Sequence, residues 1–178
     1  MHWIDPASLP ETRGKVSCFL LNPHGKIDGV VLDGKLQVHI PPHLSKKVAK
    51  LVAVGDRVRV RGVRPRTADV VAAVALTSKQ GVEMIDEGPQ DHDRPPKPEG
   101  KAMETEGNVV LSLFGPKGEL RGALLDNGTS LRMPPHAATE LADYLAPGAR
   151  VQAWGRGIKN KFGRVLDVEE IAHSVDAD

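Results

Sequence analysis

The chain has 178 residues, 40% hydrophobic and 26% charged, with a formal net charge of +1. That composition excludes a disordered or collagen-like chain; no apolar run approaches the ~18 residues of a membrane helix, and no basic start with an apolar core marks a secretory signal. The single cysteine, Cys18, excludes an intramolecular disulfide and a cysteine-cluster metal site, so the cytoplasm is the expected location.

The near-neutral total hides a division. Residues 1–79 hold 13 Lys+Arg against 6 Asp+Glu (+7), residues 80–103 hold 3 against 6 (−3), and residues 104–178 hold 8 against 11 (−3). A basic first part and an acidic remainder bear directly on partners.

In chain order, residues 15–21 alternate and predict a strand, "NPHG" a tight turn, and residues 26–32 a second strand. Parity turns Val16, Cys18 and Leu20 inward and leaves Phe19 outside, the one first-copy aromatic placed to stack; Cys18 reads as a small buried hydrophobe. Asp33-Gly34 is a hairpin turn, and "KLQVHI" a third strand with Leu36, Val38 and Ile40 on one face. Pro41-Pro42 then stops the sheet, since neither can donate to a ladder. Leu44, Val48, Leu51 and Val52 recur at helical spacing over residues 45–54, with Ser45 as the N-cap and Gly55 as the stop. "DRVRVRG" predicts a fourth strand and "DVVAAVALT" a fifth.

The same text is then written again. From Glu11/Glu104 to Gly62/Gly155 every residue shifts by 93 without a gap, and 19 of the 52 pairs are identical. They include Gly14/Gly107, Pro23/Pro116, Gly29/Gly122, Asp33/Asp126 and His43/His136. Self-similarity at fixed period marks internal duplication. The second copy predicts strands in "NVVLSLFG", "ELRGALLD", "SLRM", "RVQAWGRG" and "RVLDVEEIA", with a helix over residues 137–145. Residues 80–103, rich in Pro, Gly and acid, read as a linker stiffened at Arg94–Pro98.

Three strands, a helix and two strands in each copy resemble the OB-fold, a five-stranded barrel with its helix between strands three and four. The resemblance covers both repeats and rests on element order; an SH3-like barrel is the runner-up, and would not want the full helix. It implies an all-β tandem of two barrels, a basic one over 11–79 and an acidic one over 104–175, of a bacterial type. OB-folds chiefly bind single-stranded nucleic acid, some binding sugars or proteins.

"PPH" at 41–43 returns at 134–136. A metal site built on it needs partners, and His39 and His24 become Arg132 and Lys117 in the second copy. The tripeptide therefore reads as architecture, with the histidine at the helix start. His92, between two aspartates, reads as solvated linker. No metal and no cofactor are expected. Nor is an enzyme, since GxSxG, P-loop, HExxH and a shared cysteine-histidine pair are all missing.

What remains is a surface. Val58 and Val60 alternate inward, so Arg57, Arg59 and Arg61 point out in a row about 7 Å per step, continued by Arg64 and Arg66 in the loop between strands four and five. Guanidinium grips phosphate oxygens with paired hydrogen bonds. The second copy offers Trp154, Arg156, Lys159, Lys161 and Phe162, cations interleaved with stacking faces. Against this, alternating charge is usual on a solvated strand face. The expected partner is single-stranded nucleic acid, held mainly by the first copy. The alternative is a protein-interaction or scaffold module, including a homo-oligomer in which basic and acidic units meet.

Overall fold

The computed structural model describes residues 9–41, 44–65, 70–85 and 100–174. β1 (Glu11–Leu21) begins ahead of the predicted strand, because Glu11, Arg13 and Lys15 face solvent while Gly14 and Val16 are buried. β2 (Ile27–Leu32) and β3 (Leu36–His39) follow. The turn between them has φ of 54° at Asp33 and 71° at Gly34, the left-handed pair that a tight hairpin needs to match strand twist. The Asp33 carboxylate accepts a hydrogen bond from the Lys15 backbone N–H at 3.1 Å, and Asp126 repeats the bond with Asn108 at 3.1 Å. Identity of that aspartate between the copies is therefore explained by the barrel itself.

α1 (Ser45–Leu51) is shorter than its apolar period. Val52 is already extended but still buried, so the hydrophobic spacing outlives the helix. Ser45 is not the cap: Leu44 holds that position, with no side-chain cap bond. Gly55, at φ 96°, turns the chain into the next strand instead of ending the helix. β4 (Arg57–Val63) and β5 (Val70–Thr77) complete the ring. β6 (Glu83–Ile85), not foreseen, pairs with the end of β5. It is three residues in a polar stretch, too short for a periodic signal.

The second unit repeats the plan with β7 (Lys101–Phe114), β8 (Leu120–Leu125) and β9 (Thr129–Arg132). α2 (Pro135–Glu140) comes next, with Pro134 at its N-cap, so the diproline does turn the strand into the helix. The predicted run to residue 145 breaks into α2 and a 3-10 turn over Ala142–Tyr144, while Leu145 stays fully buried. β10 (Arg150–Asn160) and β11 (Gly163–His173) finish the unit. β6 and the start of β7 fall within 80–103; residues 86–99, with Arg94–Pro98 and His92, lie outside the described residues, as do Pro42 and His43.

The chain divides into two compact units. In the first, the strands run β1-β2-β3-β5-β4 and back to β1; in the second, β7-β8-β9-β11-β10 closes in the same order. In each, the third strand pairs with the fifth in parallel, the contact that shuts the barrel. These are two OB-fold barrels in tandem, each with one short helix after its third strand. Val16, Val30, Val38, Ile40, Val58 and Val60 fill the first core; Val109, Leu125, Leu131, Leu145, Val151 and Leu166 fill the second. None of the described helices is long and apolar enough to cross a membrane.

A bulge interrupts β4–β5 between Arg61 and Gly62, and β10–β11 between Trp154 and Gly155, the same place in both copies. A Cβ at Gly62 would overlap the Ala72 carbonyl oxygen, and one at Gly155 the Asp167 carbonyl oxygen. Only glycine lets the partner backbone this close.

One parity expectation fails. Phe19 is 7% exposed, and Leu20 and Leu21 beside it are buried too. The near half of β1 alternates, but its far half is covered on both faces, so period two stops reporting which side is wet. Phe19 is core and offers no stacking surface. Cys18 is half-buried, and burial pushes its thiol pKa up.

Candidate nucleic-acid interface

β4 alternates as a barrel strand must. Val58 and Val60 are buried, and Arg57 and Arg59 stand exposed on the outer face with Arg61 half-buried beside them. Pairing with β1 doubles the row: Lys15 lies opposite Arg57, Arg13 opposite Arg59, and Glu11 opposite Arg61. Residues directly opposite in an antiparallel pair hold their Cβ atoms roughly 5 Å apart, and like charges there are destabilising. Two such pairs sit next to each other. The only carboxylate in the row, Glu11, binds Arg13 at 3.1 Å and lies 4.0 Å from both Arg59 and Arg61. Arg61 also donates to the Leu9 carbonyl at 2.9 Å.

The row opens at one end into a recess of about 330 Å³ lined by Arg13, Arg57, Arg59, Thr77, Ser78 and Lys79 among others. Thr77 arrives there because it pairs with Arg59 across β4–β5. Lys79 is drawn in by the turn after β5 and tethered to Asp56 at 3.2 Å. The Asp56 carboxyl accepts the Ala53 backbone N–H at 3.0 Å. That bond, ahead of the Lys79 charge and against some desolvation, holds its pKa below the usual carboxylate value. A depressed folded pKa contributes stability that is present at neutral pH and lost as pH falls through the folded value. Thermal melting between about pH 7 and pH 2 is expected to show a smaller acid-side loss in Asp56→Asn than in the native chain.

Sequence reasoning reached Arg57, Arg59 and Arg61 but missed Arg13, Lys15 and Lys79. The first two carried a signal: they alternate on the first strand, which neighbours the fourth in an OB-fold. Lys79 had none, since only the turn after β5 brings it round. Arg64 lies exposed just past β4, and Arg66 lies outside the described residues. Within the ring β4 sits opposite the β2–β3 pair, whose outer face is the usual OB groove. The arginine row is thus on the other side of its barrel from that groove.

In the second barrel the same positions read differently. Arg13, Lys15, Arg59 and Arg61 are replaced by Glu106, Asn108, Gln152 and Trp154. Arg150 is paired to Glu106 at 3.2 Å. Trp154 donates its indole N–H to Glu104 at 2.7 Å and has Glu170 on its other flank. Arg156 donates to the Gly100 carbonyl at 3.0 Å. The structure does not bring Trp154 and Phe162 together: β10 carries them apart by about 20 Å at roughly 3.4 Å per residue. Lys159, Lys161 and Phe162 instead gather at the β10–β11 hairpin, joined by Arg164 and the Asn127-Gly128 turn around a recess of about 240 Å³. The Lys161 ammonium lies 5.0 Å from the centre of the Phe162 ring. Among the described residues no three His, Cys, Asp or Glu side chains converge as a metal site. His24 is exposed in the β1–β2 turn, and His136 is exposed in the first turn of α2.

No family model matches the chain, and no curated protein does. Among solved structures it is similar to the small single-stranded DNA-binding protein from Streptomyces coelicolor, at 16% identity and a TM-score of 0.33, over 44% of this chain and 96% of that one. It is also similar to the wild-type single-stranded DNA binding protein from Thermus aquaticus, at 14% identity and a TM-score of 0.31, over 94% of this chain and 93% of that one.

Proposed function

We infer that the protein is a non-enzymatic binding module for single-stranded nucleic acid, with the phosphate backbone seated on the outer face of β1 and β4. The observation that carries this reading is the pair of like-charge contacts, Lys15 opposite Arg57 and Arg13 opposite Arg59. Such pairs cost stability, and one shared carboxylate leaves them under-compensated. A polyanion laid along the row supplies the missing charge, and steps of about 7 Å suit an extended chain of phosphates. Arg57, Arg59, Arg61 and Arg64 hold the strand with Arg13, Lys15 and Lys79; Arg66 stays a candidate from the sequence alone. Lys159, Lys161 and Phe162 make a smaller, separate contact. Trp154, between Glu104 and Glu170, and Arg156, bonded to the Gly100 carbonyl, stay outside the track.

Fluorescence anisotropy with a labelled single strand of about 20 nucleotides tests it. Neutralising about four phosphates gives a slope near −3 in log affinity against log salt, a loss of roughly 50-fold between 50 and 200 mM. A flat salt response, or no binding at 50 mM, removes the reading. A protein-interaction module would then be the better account, visible as concentration-dependent self-association.

A further inference from the structure

We propose that the β1–β4 face recognises a linear chain of phosphates irrespective of base, so that inorganic polyphosphate binds it as a nucleic acid strand does. This rests on the phosphate-track reading and specifies its ligand class. Base recognition by a single-strand binder needs aromatic or guanidinium planes to stack on and acceptors as well as donors to read base edges. The chain has six aromatic residues. Phe114, Tyr144, Trp154 and Phe162 belong to the second copy, Trp3 lies outside the described residues, and Phe19 is buried. Among the described residues, then, the first barrel puts no aromatic ring on this face.

Acceptors are few: besides Glu11 in the row and Ser78, the recess holds the Thr77 hydroxyl. Glu11 is engaged by three arginines, and the Ser78 hydroxyl already accepts the Val82 N–H at 3.3 Å. Arg13 is bonded to Glu11 at 3.1 Å, while Arg59 and Arg61 stand 4.0 Å from the same carboxylate and keep N–H groups for a ligand. What the face presents to a ligand is ammonium and guanidinium N–H. Those groups match phosphate oxygens and are indifferent to what each phosphate carries.

The test titrates three ligands of about 20 phosphates directly into the full chain by calorimetry: oligo-dT, an abasic strand of the same length, and inorganic polyphosphate. All three are expected to bind within about threefold of one another per phosphate, with parallel salt slopes. All three should be lost together in Arg57→Glu with Arg59→Glu. Oligo-dT binding more than about tenfold tighter than the other two would overturn the inference while leaving the strand-binding function intact. Binding of none of them would overturn both. Equal binding that survives the double reversal would show that the ligand sits elsewhere, and would overturn the assignment to this face.

Discussion

The double variant Arg57→Glu, Arg59→Glu is expected to lose at least about 100-fold in affinity for a single strand while the protein becomes slightly more stable. Two charge-assisted contacts are worth roughly 1.5–3 kcal/mol each, and about 1.4 kcal/mol is tenfold. The salt slope should flatten by about 1.4, two contacts' worth. Stability moves the other way because of the register. A glutamate at position 57 would face Lys15 and one at position 59 would face Arg13, turning two repulsive cross-strand pairs into attractive ones worth about 0.2–1 kcal/mol each. Melting temperature and anisotropy, measured on the same preparation, therefore separate a lost site from a lost fold. Affinity unchanged by the reversal would take the phosphate track off this face. The second copy supports the logic: with Glu106 and Gln152 at the corresponding positions, its row is paired internally and carries no excess of positive charge.

Gly155→Ala is the second large effect, and it acts on the fold. The added methyl has no flexible neighbour to displace, since what it meets is the Asp167 carbonyl and the Glu169 backbone N–H across the bulge. Overpacking against backbone costs about 3 kcal/mol, which for a unit of this size lowers the melting point by more than about 10 °C. Gly62→Ala should do the same to the first barrel, where the obstacle is the Ala72 carbonyl. Gly128→Ala is the comparison: nothing lies within 4 Å of its Cβ, so only its left-handed φ of 87° is strained, at about 1–2 kcal/mol. Equal melting points for Gly155→Ala and Gly128→Ala would mean that the bulge can relax, and the steric account of the duplicated glycine would fall.

Local chemistry and spacing were enough to reveal the duplication, the strand order, the Asp33-Gly34 turn and the diproline at the head of α2. Each depends on neighbours in sequence: alternation on one strand, φ preference in one dipeptide, a missing N–H in one proline. The glycines at the bulge were visible as identities between copies, but not their reason. Tertiary structure alone decided the rest, because closing a barrel sets residues distant in sequence side by side. Registry across β1 and β4 placed Arg13 and Lys15 against the arginine row and made Glu11 its shared counter-ion. The turn after β5 delivered Lys79. Cover on both faces of β1 took Phe19 out of solvent, which a strict two-residue period cannot foresee. And the length of β10, fixed by its pairing with β7 and β11, held Trp154 beside Glu104 and sent Phe162 to the hairpin tip, dividing what had read in the sequence as one aromatic-cationic patch.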